Sequence, residues 1–108
     1  YIDNAVQANL LAATTENEEA LNQVYNVAVG ERTTLNQLFE MIKNLLAKDK
    51  PELAGASAVY RDFRAGDVRH SLADISKAQD LLGYSPTHRI AEGMKEAMAW
   101  YVQDIGKE

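Results

Sequence analysis

Seven acidic or basic side chains, Arg61, Asp62, Arg64, Asp67, Arg69, His70 and Asp74, fall within the fifteen residues from Tyr60 to Asp74, with Gly66 among them. Glycine admits backbone conformations that other residues resist, so a turn at Gly66 would let Arg64 and Asp67 point toward a common ligand. An arginine fork makes paired, charge-assisted hydrogen bonds to a diphosphate, and a neighbouring carboxylate accepts from two ribose hydroxyls. Together they match a nucleoside diphosphate. A surface turn closed by a local Arg64–Asp67 ion pair explains the same residues without a ligand, and at this level both readings stand.

Other residues offer less. Asp67, His70 and Asp74 match no familiar metal-ligand spacing, so no metal site is expected. His70 and His88 read as solvated or hydrogen-bonded structural histidines, and Arg32, just after Gly30, as an exposed turn arginine. Met94, Met98, Trp100 and Tyr101 fall at helical spacing and read as packing. The chain has no cysteine, which removes disulfides, thiolate metal sites and thiol nucleophiles. Its formal charge of -5 is spread along 108 residues without a basic block, which argues against nucleic acid as a partner. No apolar run approaches a membrane span and no charged-then-apolar leader opens the sequence, so the expectation is a soluble, cytoplasmic protein. The start at Tyr1-Ile2-Asp3-Asn4, without methionine and already amphipathic, reads as a cut end.

The elements that would position the charged segment follow from periodicity and capping. Ile2, Val6 and Leu10 recur at near-helical spacing and predict a helix from about Asp3 to Thr15. Val24 to Val29 is short, β-branched and bounded by Gly30, which predicts a buried strand. Thr34 with Gln37 forms a capping box ahead of Leu35, Leu38, Phe39, Ile42, Leu45 and Leu46, a helix that Pro51 prevents from continuing. Ala56 to Tyr60 is a second candidate strand, and strand–helix–strand suggests parallel pairing. Asp74 caps a third helix that Gly83 ends and Pro86 stops. Ile90, Met94, Ala97, Met98, Tyr101 and Ile105 predict a last helix, with Gly93 a weak point inside it. The expected fold class is α/β: a single domain over residues 1–108, with about four helices and a short two-stranded sheet.

The run from Phe63 to Ala78, FRAGDVRHSLADISKA, continuing to Leu81-Leu82-Gly83-Tyr84-Ser85-Pro86, resembles the C-terminal signature of extended short-chain dehydrogenase/reductases. Tyr1 to Val6 is similar to the segment that follows that family's catalytic-domain strands, and Tyr25 to Gly30 to its buried strand and turn. The likeness covers essentially the whole chain. Within the family it is greatest to 4-epimerases of UDP-N-acetylglucosamine and UDP-N-acetylgalactosamine, through Val27 to Asn36 and Gly66 to Ser71.

The resemblance implies that Arg64 holds the diphosphate of a UDP-sugar and Asp67 its ribose. Ser71 falls where these epimerases place a residue beside the sugar, and its small side chain would leave room for an N-acetyl group. It also implies an N-terminal Rossmann domain binding NAD, a catalytic tyrosine assisted by lysine, and a homodimer. None of these is supplied here. No two glycines lie closer than Gly83 and Gly93, ten residues apart, and none of the tyrosines has lysine four positions on. The expectation is the substrate-binding portion of an NAD-dependent 4-epimerase, inert alone. Alternatives are the same portion of a UDP-glucose 4-epimerase or of a nucleotide-sugar dehydratase or decarboxylase, and, from another class, a free-standing protein-interaction module.

Overall fold

The computed structural model describes residues 1–105. Its helices are α1 (Ile2–Thr14), α2 (Leu35–Leu46), α3 (Ser76–Leu82) and α4 (Ile90–Ile105), with short 3-10 turns at Glu18–Ala20 and Pro51–Gly55. All four fall where periodicity and caps predict them. The Thr34–Gln37 box is complete: the Thr34 hydroxyl accepts the Gln37 N–H at 3.1 Å and the Gln37 side-chain oxygen accepts the Thr34 N–H at 2.8 Å. At α3 the Asp74 carboxylate accepts the Ser76 N–H at 2.9 Å, and Gly83, at φ +69°, ends the helix with its own N–H on the Gln79 carbonyl. None of the glycines lies in the first turn of α1, α2 or α3.

The expected α/β class and its two-stranded sheet are not found. Among the described residues there is no strand; 24–29 and 56–60 carry no regular structure and no ladder partners, with a bend at Ala28. The β-branched composition of Val24 to Val29 biases φ and ψ toward extended values, but a strand exists only when its backbone groups pair, and composition does not supply the partner. Side chains take over part of that work instead. The Lys77 ammonium donates to the Val24 carbonyl at 3.0 Å and the Tyr84 hydroxyl to the Ala28 carbonyl at 2.8 Å.

The chain divides into two compact units. The first, residues 1–31 and 72–93, holds the core: Ala8 of α1 and Ala78 of α3 bring those helices close, and Ile75 and Tyr84 close around them, with Leu11, Tyr25 and Ala28 at the margin. Burying a side chain such as Ile75 contributes about 1.5–3 kcal/mol. Two amides of α1 then fasten the segment from Ser85 to His88. Buried Asn4 donates to the His88 carbonyl at 2.7 Å and accepts the Thr87 and His88 N–H groups at 2.9 and 3.2 Å. Gln7, one turn on, exchanges two bonds with the backbone of Ser85 at 2.8 and 2.9 Å. These amides satisfy loop backbone that has no secondary structure of its own.

The second unit comprises residues 32–71 and those from 94 onward. Here α2 packs on the Pro51–Gly55 turn, with Leu38, Phe39, Ile42, Leu45, Leu46 and Leu53 half-buried. None of its described residues is fully buried. Met94 and Met98 are half-buried as their spacing suggests, whereas Trp100 and Tyr101 stand mostly exposed and pack edge-on against each other, ring centroids 5.0 Å apart. Ile105 lies in α4, but its side chain falls outside the described residues. No described helix is long and apolar enough to cross a membrane.

Candidate functional site

Arg64, Asp67 and Ser71 all lie in the second unit, on an exposed segment without regular structure. The Tyr60 hydroxyl donates to the Asn36 side-chain oxygen at 2.9 Å, which ties the start of this segment to the first turn of α2. Four residues later the chain reverses. The Asp67 N–H donates to the Arg64 carbonyl at 3.1 Å across Ala65 and Gly66, and Gly66 has φ +85° while Ala65 does not enter the positive range. A positive φ at the third position alone defines a type II turn, which explains why glycine stands there.

The turn is locked from within by its own charged pair. One carboxylate oxygen, Asp67 Oδ2, accepts both the backbone N–H and the Nε–H of Arg64, each at 3.3 Å. This division of labour is what gives the pair chemical use. With Nε committed, the two terminal nitrogens of the guanidinium still face solvent, the Arg64 side chain being 87 % exposed. With Oδ2 committed, Asp67 keeps Oδ1 available as an acceptor. Arg64 therefore presents N–H donors in the geometry that suits a phosphate, beside a carboxylate oxygen that suits a hydroxyl. The local ion pair and the binding arrangement are the same structure, so the two sequence readings of these residues are not exclusive.

Ser71 is exposed, makes no hydrogen bond to Arg64 or Asp67, and its hydroxyl has no partner among the described residues. Arg32 also stands exposed in this unit without a contact to the pair. Asp74 belongs to the other unit, where hydrogen bonds from the Ser76 side chain and backbone hold its carboxyl below the ordinary value, a capping role. Two contacts escaped sequence reasoning. One is the Tyr60–Asn36 bond across 24 positions. The other is Arg69, whose guanidinium lies over the Phe63 ring, 4.5 Å from its centroid. An aromatic six positions before an arginine is a weak signal that only a closed turn makes into a contact.

No family model matches the chain. Among curated proteins it is 31% identical over 100 residues to a Methanocaldococcus jannaschii protein named "Putative UDP-glucose 4-epimerase", covering 93% of the chain and 29% of that protein. It is 29% identical over 106 residues to UDP-glucuronate 4-epimerase of Thermodesulfobacterium geofontis, covering 97% of the chain and 30% of the relative. To dTDP-L-rhamnose 4-epimerase of Burkholderia thailandensis it is 26% identical over 101 residues, covering 94% and 26%. The chain is therefore similar, over nearly its whole length, to a portion of these nucleotide-sugar 4-epimerases, and spans less than a third of the length of each of the three.

Proposed function

We propose that this chain is the sugar-nucleotide-binding portion of an NAD-dependent 4-epimerase that interconverts UDP-N-acetylglucosamine and UDP-N-acetylgalactosamine. The observation that carries the reading is the Arg64–Asp67 turn. Its free guanidinium nitrogens would take the diphosphate, and Asp67 Oδ1 would accept from the ribose. The relatives' names support the reaction class, and they range over glucose, glucuronate and rhamnose. The N-acetyl assignment rests instead on Ser71, whose small, unpartnered hydroxyl would leave the space that an N-acetyl group needs.

When bound, NAD would take the hydride from the sugar's C4. The described residues do not fit that cofactor: the first turns of α1, α2 and α3 contain no glycine, and Gly93, in the first turn of α4, is packed against Tyr1. In this reading a Rossmann domain elsewhere in the protein holds NAD and the proton-transferring tyrosine, in a cytoplasmic homodimer. The portion described here orients the UDP-sugar and selects it. The exposed Ile2, Val6 and Leu10 on α1 accord with a surface that the remainder of such an enzyme covers. A free-standing interaction module would be complete in itself and well behaved alone. Gel filtration separates these readings: a chain that stays monomeric at high concentration favours the module, and self-association favours the covered surface.

The test is kinetic, on the whole enzyme. Arg64→Ala removes charge-assisted bonds of about 1.5–3 kcal/mol and should raise KM for the UDP-sugar roughly ten- to a hundredfold. Ser71→Tyr should lower kcat/KM for the N-acetylated sugars while sparing UDP-glucose. An unchanged preference in Ser71→Tyr refutes the substrate assignment, and an unchanged KM in Arg64→Ala refutes the site.

A further inference from the structure

Arg64 is the cation to which the proposed site assigns the diphosphate, yet its charge is already answered by a carboxylate. Asp67 sits against its Nε, so the pair brings nearly no net charge to a dianionic or trianionic ligand. Selective retention of a diphosphate over an uncharged nucleoside needs a cation that is not compensated. Three arginines lie on the segment, and Arg69 differs from the other two. Arg61 has neither a carboxylate nor a ring against it among the described residues, so nothing fixes its side chain. Arg69 has no carboxylate partner among the described residues either, but its guanidinium is seated over the Phe63 ring at 4.5 Å from the centroid. A guanidinium stacked on an aromatic face keeps its in-plane N–H donors pointing outward and gives up part of its rotamer freedom in advance. That is the state of an anion-binding arginine before its anion arrives.

The contact also has a topological basis. Phe63 and Arg69 flank the turn that Gly66 and the Arg64–Asp67 bonds close, so their contact brackets the inner pair along the chain. Phe63 is 64% exposed, more than an aromatic kept for the core would be, and among the described residues its ring partner is Arg69.

We propose that Arg69, positioned by the ring of Phe63, is a second phosphate-binding arginine of the site, supplying the uncompensated charge that the Arg64–Asp67 pair lacks. This rests on the nucleotide-binding reading above and adds to it a residue and a division of roles. Arg64 and Asp67 fix where the diphosphate and ribose lie, and Arg69 makes the site prefer a phosphorylated ligand to a bare nucleoside.

The experiment is a titration of the full chain with UDP and with uridine, followed through the arginine Nε–H signals in nitrogen–proton correlation spectra and repeated on variants. UDP should shift the Arg64 and Arg69 signals with one saturation curve, and uridine should leave Arg69 in place. Arg69→Gln should weaken UDP roughly ten- to a hundredfold and leave uridine unchanged, because it removes charge-assisted bonds that only the phosphates receive. Phe63→Leu should weaken UDP less than Arg69→Gln does, and Phe63→Tyr, which restores the ring face, should recover it. That rescue separates positioning from general damage to the turn. UDP that shifts Arg64 but not Arg69, or Arg69→Gln with undiminished affinity, overturns the proposal and leaves the nucleotide site standing. UDP that shifts neither arginine overturns both.

Discussion

Replacing Asn4 by leucine tests how the first unit is held together. The substitution keeps the branched outline of a buried, 4% exposed side chain and replaces its polar atoms with slightly larger methyl groups. Three backbone groups then lose their partner: the N–H groups of Thr87 and His88 and the carbonyl of His88. A buried polar group left unsatisfied costs about 1–3 kcal/mol. Thr87 is exposed and His88 half-buried, so water partly reaches these backbone groups, the low end applies to each and the sum is roughly 3 kcal/mol. Against a total stability of about 5–15 kcal/mol for a small domain, that is a large share. Urea denaturation of the chain followed by circular dichroism should show the midpoint falling steeply with the slope unchanged. Asn9→Ala serves as the control, since Asn9 is exposed and bonds only the Ala5 carbonyl one turn back; it should cost less than about 0.5 kcal/mol. If Asn4→Leu proves no more costly than Asn9→Ala, the amide is not the fastening inferred here.

Gly93→Ala should destabilise, although alanine is ordinarily the better helix former by about 1 kcal/mol. The new Cβ would lie 2.7 Å from the Cβ of Tyr1, a contact neither atom can rotate away from, and a higher melting temperature would show that this packing is not formed. Gly66→Ala meets no neighbour within 4 Å, so its cost is purely that of φ +85°; it should loosen the turn and weaken UDP binding, and unchanged affinity would mean the turn is not needed. Burial raises the Tyr84 hydroxyl above its ordinary 10.0, so the folded state holds the proton more tightly than the unfolded state does. The stability this contributes is complete below the unfolded pKa and is lost as pH rises from about 10 through the folded value, so the stability of Tyr84→Phe should fall less than wild type in that range. Parallel alkaline profiles would contradict it.

What could be read from the sequence divides along a physical line. The ends of α2 and α3 are legible because Thr34 with Gln37, and Gly83, act on backbone within a turn of themselves; Asp74 bonds the first N–H of α3 from one residue before its N-cap, Ile75. The Arg64–Asp67 pair was legible for the same reason, being closed by Gly66 between its members. The sheet was misread because β-branched residues at Val24, Val27 and Val29 report a preference for extended backbone and say nothing about what lies alongside. The Asn4 bonds could not be foreseen, since an asparagine on a helix carries no mark of a partner 84 positions away. Trp100 and Tyr101 sit at spacing that suits packing, but spacing assigns a face without telling whether anything covers it.

A crystal structure of the complex with UDP tests the central claim most directly. The account predicts the diphosphate within hydrogen-bond distance of the terminal nitrogens of Arg64, and a ribose hydroxyl on Asp67 Oδ1, with the Arg64 Nε bond to Oδ2 retained. UDP bound away from residues 64–67, or bound only after that internal bond has broken, would contradict it.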